Sequence, residues 1–261
     1  MAVRHGKAGQ YGKNQAARHF SRYFLLLLTF AAIAFTTLGF ATGYAWKLYG
    51  AVAAFVAAVP VLFIVLYATR WIDPHLEKIA KERIYHLKGA QLEAVVAWVL
   101  EDLDDHWHIF NGIKLERESD IDHVLVGPAG VYCISTKANR GHFVGTADGL
   151  LHNGNPCDFA TKALWMAMDV RKRLEAILGN DVPFVQPVLA VPIGFTDGDA
   201  CDGKVWLVHQ WDIIERLAPD PLRRKPLPAD QINRTVRALE LIQNGAAEIF
   251  QRPNRSATSP S

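Results

Sequence analysis

Two long apolar stretches stand near the start of the chain, ahead of a region in which apolar and polar residues alternate over shorter periods. Tyr23–Phe40 and Leu48–Tyr67 contain no charged residue. Each is close to the ~20 residues with which a helix crosses ~30 Å of hydrocarbon. A signal peptide followed by a buried core helix is the alternative, but a secretory apolar core is shorter. The pattern therefore predicts two transmembrane helices within residues 23–70, joined by the short link Ala41–Lys47.

Basic residues flank the two stretches unequally, and this asymmetry predicts the orientation, because positive charge concentrates on the cytoplasmic side. The link carries only Lys47. The basic residues outside the stretches are Arg4, Lys7, Lys13, Arg18 and Arg22 before the first, and Arg70, Lys78, Lys81, Arg83 and Lys88 after the second. We therefore expect a multi-pass protein of a bacterial-type inner or plasma membrane, with the lipid bilayer as a partner and with both termini and the following domain in the cytoplasm.

Changes of composition divide the remainder of the chain into four parts. Residues 1–22 are polar and basic and are predicted to be a disordered N-terminal arm. Residues 71–87 are charged and helical in pattern, which is typical of a juxtamembrane stalk. Residues 88–251 are predicted to form one folded domain. Residues 252–261 are rich in Pro and Ser and are predicted to be a disordered tail.

Within residues 88–251 the apolar period switches between that of a helix and that of a strand. The expected helices are Ala90–Leu103, a helix capped by Asn155-Pro156 and ending near Leu178, a short helix within Val208–Leu217, and Ala229–Ile249. The expected strands are His108–Leu115, Asp122–Val126, Val131–Thr136, His142–Val144, Leu150–His152, Val185–Val191 and Lys204–Val208. This order predicts an α/β fold, a three-layer sandwich with a mixed central sheet, preceded by a transmembrane helical hairpin.

Charge and cysteine content narrow the function classes only slightly. The net charge of +2 is too small to indicate a nucleic-acid partner by itself. The three cysteines, Cys133, Cys157 and Cys201, lack metal-ligand spacing and are odd in number. Free thiols in a cytosolic domain are therefore expected.

Asp122 and Lys137 bracket the two strands that a Gly-Pro-Ala-Gly turn joins. Because residues two apart share a face of a strand, pairing of Val126 with Val131 brings Asp122 opposite Ser135, with Lys137 diagonally adjacent. Glu93, on the preceding helix, could reach the same end of the sheet. Two acids and a lysine at one point suit metal-assisted phosphodiester hydrolysis. On spacing alone, however, such residues are more often solvated strand-end or helix-surface groups.

Three blocks of the sequence resemble the nuclease-related domain (NERD) family, a branch of the PD-(D/E)xK nuclease-like fold. Lys88–Glu93 resembles the opening Gly-Ala-x-x-Glu helix of the family, and Asp120–Val131 resembles its Ile-Asp-His-Val-x-Val-Gly-Pro-x-Gly-Val signature. Ile134–Lys137 resembles its Glu-x-Lys strand end. The resemblance implies a restriction-endonuclease-like fold and a nuclease acting on DNA or RNA.

The resemblance also implies the roles of individual residues. Glu93 and Asp122 would be catalytic acids that bind Mg²⁺ or Mn²⁺, and Lys137 would be the catalytic lysine. Ser135 occupies the catalytic position at which the family commonly has Glu, and a hydroxyl is a poorer ligand for Mg²⁺ than a carboxylate. Two functions therefore stay open: a metal-dependent nuclease, or a catalytically weakened domain that tethers nucleic acid or an unidentified protein to the membrane.

Overall fold

The computed structural model describes residues 1–114, 120–217 and 226–245, although not every side chain between residues 11 and 79. It divides the chain into two compact units. One unit is Gly12–Lys88, and the other joins Met1–Tyr11 to the part of the chain that begins at Gly89. The predicted tail at residues 252–261 and the end of the predicted last helix lie outside the described residues.

Two long helices, α1 (Gln10–Tyr49) and α2 (Ala51–Leu100), account for the unit Gly12–Lys88. They are separated by Gly50, whose φ of +80° suits a residue without a Cβ atom. The Gly50 amide still donates to the carbonyl of Trp46, at 3.1 Å. The predicted link Ala41–Lys47 is therefore wrong in position. These residues continue α1, because nothing in them interrupts the helix before the glycine.

The segment Leu28–Tyr49 of α1 is 22 residues long and could cross a membrane by its length and composition. It is the one such segment among the residues that the structure describes. The expected first span, Tyr23–Phe40, thus overlaps it but begins and ends earlier. The expected second span, Leu48–Tyr67, begins in α1 and continues into α2, and half of its side chains lie outside the description.

A seven-stranded mixed sheet forms the centre of the other unit, in the order β1-β2-β3-β4-β8-β11-β10. The pairs β1–β2, β4–β8 and β8–β11 are parallel, and the other pairs are antiparallel. Its strands are β1 (Val3–His5), β2 (His108–Lys114), β3 (Asp120–Gly127), β4 (Gly130–Thr136), β8 (Val185–Ala190), β10 (Ala200–Cys201) and β11 (Val205–Val208). The strands β2, β3, β4, β8 and β11 agree with the alternation in the sequence.

Helices cover both faces of this sheet. The end of α2 and α4 (Ile213–Leu217) pack on one face, where Val96 and Leu100 contact Leu125 and its neighbours. The helices α3 (Phe159–Leu178) and α5 (Ala229–Gln243) pack on the other face. The domain is thus a mixed α/β structure with a large mixed sheet, as the sequence predicts.

Residues 1–22 were expected to form a disordered arm, but Val3–His5 forms the strand β1. The prediction is therefore wrong for the start of the chain. Val3–His5 pairs in parallel with β2, so it adds an edge strand to the large sheet. From Gln10 onward the same stretch is helical. The polar composition of these residues suggested disorder, but the structure gives their backbone groups a partner strand.

The same unit contains a second sheet of four strands, in the order β7-β6-β5-β9. In the sequence, these strands lie between strands of the first sheet. The second sheet contains the expected hairpin as β5 (His142–Thr146) and β6 (Gly149–His152), together with β7 (Asn155–Cys157) and β9 (Phe195–Asp197). The sequence suggested that Asn155-Pro156 caps α3, but that prediction is wrong, because these residues belong to β7. The N-cap residue of α3 is Asp158.

Candidate functional site

The β3–β4 hairpin sets the relative positions of the candidate site residues. Val126 pairs with Val131, and Val124 pairs with Cys133. This register confirms the predicted pairing through the Gly-Pro-Ala-Gly turn. By alternation along the two strands, Asp122 and Ser135 share one face at the end of the hairpin that lies away from the turn.

The two glycines of the turn serve different purposes. Gly130 has a φ of +141°, a conformation that other residues adopt only with strain. Gly127 has no such φ, but a Cβ atom there would lie 2.2 Å from the ring of Trp107, which is 3% exposed. Gly127 thus permits close packing of the Trp107 side chain against β3, and Gly130 permits the turn itself.

Asp122 is a partly buried carboxylate at the start of β3. The main-chain amide of Thr136 donates a hydrogen bond to its Oδ2 atom at 2.5 Å. Burial raises the pKa of Asp122 to about 6, although the charge of Lys137 and the Thr136 amide both favour the anion. At neutral pH the side chain is therefore an anion that its surroundings solvate incompletely, as is common for groups that bind a cation.

Glu93 lies on α2, two turns before the helix ends, and is partly buried. Burial and the negative charge of Asp122 raise its pKa to about 7. The Gly9 backbone and the charge of Lys137 both favour the Glu93 anion, so both oppose this rise. The strand acid Asp122 is thus close enough for its charge to raise the pKa of the helix acid Glu93.

Lys137 follows β4 directly, and its amide donates to the carbonyl of Ala190 at 2.9 Å, which extends the β4–β8 pairing by one residue. Its ammonium lies over the ring of Phe159, 5.6 Å from the ring centre, at the start of α3. From there its positive charge acts on both Glu93 and Asp122. The structure therefore brings together the three charged groups that the sequence singled out.

Ser135 is 1% exposed and lies next to Asp122. Its hydroxyl stabilises the Asp122 anion less than Lys137 or the Thr136 amide does. Its Oγ atom has no hydrogen-bond partner of good geometry in the described part of the chain. A buried hydroxyl in this condition is unusual. The position at which the resembled family has Glu is thus enclosed, polar and incompletely satisfied.

Asp120 is a third acid at this end of the sheet, and the sequence analysis did not count it among the candidates. It stands two residues before Asp122 on β3 and so shares its face. Its charge raises the pKa of both Glu93 and Asp122. The Asp-x-Asp spacing was the available signal, but the predicted strand began only at Asp122.

The three carboxylates of Glu93, Asp120 and Asp122 form an open group. Among the described residues, only Asp104, Asp105 and His106 have three possible ligand atoms within 4.8 Å of one another, and that group is exposed. An open arrangement suits Mg²⁺, which is usually bound by one or two carboxylates and keeps several waters.

His123, the histidine of the β3 signature, lies on the face of β3 opposite Asp122. It is fully buried, and its Nδ1 atom lies 2.7 Å from Oδ1 of Asn111 on β2. Burial, together with the nearby charge of Arg4, lowers its pKa to about 3. The histidine of the β3 signature therefore stays neutral at physiological pH and links two strands.

Comparison with known proteins agrees with this arrangement over part of the chain. The family model of the nuclease-related domain, NERD, matches residues 88–192. This range contains Glu93, Asp122, Ser135 and Lys137, and it ends just after β8. No match was found among curated proteins or among solved structures. The matched region indicates a nuclease-related function and, in general terms, an association with nucleic acid.

Proposed function

We propose that this protein is a membrane-anchored, divalent-metal-dependent nuclease that hydrolyses phosphodiester bonds of DNA or RNA at the cytoplasmic face. The observation that carries the proposal is the proximity of Glu93, Asp122 and Lys137 at one end of the sheet: Asp122 and Lys137 both act on Glu93, and Lys137 also acts on Asp122. The match to the nuclease-related domain over residues 88–192 supports it independently.

The donor set suits a hard divalent cation. Both carboxylates have raised pKa values, because both are buried and each lies near another carboxylate: Asp122 and Asp120 for Glu93, and Asp120 for Asp122. A bound cation would relieve both effects. Asp122 and Glu93 would hold Mg²⁺ or Mn²⁺. The metal would polarise the phosphoryl group and lower the pKa of a bound water.

The remaining groups of the site would bind and orient. The Thr136 amide holds one oxygen of Asp122, and the other oxygen would bind the cation. The Lys137 ammonium would stabilise the negative charge that develops on the phosphate. Its position over the Phe159 ring restricts where that charge can lie.

A cleavage assay on the full-length protein in detergent tests the proposal. Labelled DNA and RNA oligonucleotides are incubated with Mg²⁺, Mn²⁺ or EDTA. We expect cutting that requires the metal and falls at least 100-fold in Asp122→Asn and in Lys137→Met, as for the loss of a major catalytic group. Asp148→Asn, in the exposed β5–β6 turn, and Lys204→Met, an exposed lysine, are the matched controls. Cutting that survives Asp122→Asn would contradict the proposal.

A second function is favoured by one specific observation, the hydroxyl of Ser135 where the resembled family has a carboxylate. A site that lacks this ligand could bind nucleic acid or a protein without hydrolysis. The assay above then gives no cutting with either metal, while the same oligonucleotides bind in a salt-sensitive manner. Binding of this kind by the wild-type protein, without cleavage, would favour the binding module over the nuclease.

Chain connectivity supports the two-span topology. β1 precedes α1 and β2 follows α2, yet the two strands pair in one sheet. If the segment Leu28–Tyr49 crosses a bilayer, the chain must cross back before β2. The excess of basic residues outside the spans supports a cytoplasmic location for this sheet.

Labelling of introduced cysteines tests the topology. A cysteine at exposed Ala51, beside Gly50, should react with a membrane-impermeant maleimide in intact cells, and one at exposed Asp148 should react only after lysis. Both variants carry Cys157→Ser, because Cys133 and Cys201 are buried and Cys157 is not. Labelling of Asp148→Cys in intact cells would contradict a cytoplasmic domain.

A further inference from the structure

The segment Met1–Gly9 is fastened to the nuclease-like domain at several points, although residues 10–88 separate the two in the chain. The Val3 amide donates to the Trp107 carbonyl at 2.8 Å. The Arg4 guanidinium forms an ion pair of 2.6 Å with Glu101. These contacts, with the β1–β2 pairing, fix the start of the segment on β2 and on the end of α2.

The following residues of the segment pack as tightly. The His5 ring stacks on Phe110, with 4.3 Å between the ring centres. Ala8 is 9% exposed. At Gly6 a Cβ atom would lie 2.7 Å from the carbonyl oxygen of Asn111, so the backbone approaches β2 more closely than another residue would permit.

Gly9 ends the segment against the helix that carries Glu93. It has a φ of +68°, and a Cβ atom there would lie 2.4 Å from the carbonyl oxygen of Ala90. Ala90 lies about one turn of α2 before Glu93, and the Gly9 backbone favours the Glu93 anion. A residue that lies immediately before α1 thus lies close to a proposed metal ligand on α2.

We infer that Met1–Gly9 is a working part of the nuclease-like site, in which the Gly9 amide positions the Glu93 carboxylate for the divalent cation. The inference rests on the proposed function for the identity of the cation. It concerns residues outside the matched range 88–192. A hydrogen bond from an amide to one carboxylate oxygen fixes the side-chain rotamer and directs the other oxygen outward.

It follows that the domain is not complete when it begins at Lys88. Loss of a group that orients a metal ligand commonly reduces metal affinity 10-fold to 100-fold. Undocking of the segment should therefore weaken the site even though Glu93, Asp122 and Lys137 all remain.

A double-mutant cycle on the full-length protein in detergent separates positioning from simple stabilisation. The changes are deletion of residues 2–8, Glu93→Ala, and both together, and Mn²⁺ affinity is measured by calorimetry. We expect the deletion to reduce affinity about 10-fold to 100-fold when Glu93 is present, and to cause no further loss in Glu93→Ala. An equal loss in both backgrounds, or no loss in either, would overturn the inference.

The contact itself is tested without metal by hydrogen exchange at Gly9. Its amide should exchange at least 10-fold faster in Glu93→Ala, while Glu82→Ala, the same change at an exposed position of α2, is the control and should leave the exchange unchanged. Unchanged exchange in Glu93→Ala would overturn the inference. A wild-type protein that protects the Gly9 amide but binds no Mn²⁺ would instead overturn the proposed metal function and, with it, the positioning role.

The deletion removes a strand and could prevent folding, so a milder pair of variants repeats the cycle. Val3→Pro removes the amide that donates to Trp107, and Val3→Thr retains it at the same partly exposed position. We expect only Val3→Pro to reduce Mn²⁺ affinity, and only when Glu93 is present. Equal affinities in the two variants, with β1 released in Val3→Pro as judged by hydrogen exchange, would overturn the inference.

Discussion

The main-chain amide of Thr136 donates a hydrogen bond to Asp122 across the β3–β4 pair, at 2.5 Å. It opposes the effect of burial, yet the pKa of Asp122 remains raised to about 6. The hydrogen bond from Thr136 therefore holds the Asp122 carboxylate in place, and an Asn side chain could accept the same bond. The negative charge of Asp122 is poorly stabilised when no cation is bound.

This relationship predicts the behaviour of Asp122→Asn. The Asn Oδ1 atom can still accept from Thr136, so the fold should be retained. Without metal at pH 7.5 we expect the free energy of unfolding to rise by on the order of 1–2 kcal/mol, because a buried charge is removed. Mn²⁺ binding should be lost. Thermal unfolding with and without Mn²⁺ measures both effects.

Asp148→Asn is the matched control for that prediction, because it makes the same chemical change at an exposed turn residue. Its unfolding free energy should stay within about 0.5 kcal/mol of wild type. If Asp122→Asn destabilises the metal-free protein as much as a broken hydrogen bond would, then the charge of Asp122 is well accommodated without a cation.

The pH dependence of stability gives a second prediction. In the unfolded chain the pKa values of Asp122 and Glu93 are about 3.8 and 4.5. In the folded protein they are raised to about 6 and about 7. Well below pH 3.8 both carboxyls are protonated in both states and do not change the stability. As pH rises to about 7 the unfolded state releases its protons first, so these groups make the metal-free protein progressively less stable.

His123 acts in the opposite direction. Its pKa is lowered from 6.5 to about 3, so its contribution to stability falls as pH drops below 6.5. His123 is present in both proteins, so its contribution cancels when the unfolding free energy of wild type is subtracted from that of Asp122→Asn. We expect this difference to grow between about pH 4 and pH 6 and to stay level above pH 7. A difference that is constant with pH would contradict the raised pKa of Asp122.

The relative positions of Asp122 and Ser135 could be predicted from the sequence, because they lie on two strands that are adjacent in the chain and joined by a short turn. The alternation in β3 and β4 and the turn between them fixed the register that sets Asp122 opposite Ser135. The burial of Glu93 was not predictable in this way. Glu93 lies on a helix that Gly9 approaches at Ala90, and α1 and most of α2 separate Gly9 from Glu93 in the chain.

The parts that sequence reasoning missed lacked a local signal. β1 has only three residues and no apolar alternation, and its partner strand begins more than a hundred residues later. Asp120 was overlooked because strand boundaries are the least certain feature of a periodic pattern. The purpose of Gly127 is set by the Trp107 ring, which reaches it from outside the hairpin.

Close packing at Gly127 gives a third prediction. A methyl group there would meet the Trp107 ring at 2.2 Å, so Gly127→Ala must displace a buried side chain. We expect a loss of about 1–3 kcal/mol in the free energy of unfolding. Gly89→Ala is the control, because it lies in α2 with no atom within 4 Å of the added methyl group. The control should be neutral or stabilising by up to about 1 kcal/mol.

Replacement of Trp107 distinguishes a steric cause from any other effect of Gly127→Ala. In a Trp107→Leu background the ring is absent, so the added methyl group should cost much less than in wild type, as the cycle of unfolding free energies would show. A cost that is the same in both backgrounds would mean that the glycine is needed for the conformation of its own backbone.

Ser135→Glu is the change that most directly probes the chemistry of the site. The new carboxylate would stand beside Asp122 in an enclosed position, at which the serine is 1% exposed. Without metal, like charges should repel and the protein should lose on the order of 1–3 kcal/mol of stability at pH 7.5. With Mn²⁺ present, the third carboxylate should raise metal affinity at least tenfold and increase cleavage.

Ser135→Gln separates the charge from the size of the new side chain, since it adds nearly the same volume without a negative charge. It should lose stability through crowding, but metal should not restore that stability, and affinity for Mn²⁺ should not rise. If Glu and Gln at position 135 behave alike with metal, this position does not face the cation. Asp120, which shares the face of Asp122, would then be the more plausible source of a third carboxylate, and Asp120→Asn should lower Mn²⁺ affinity.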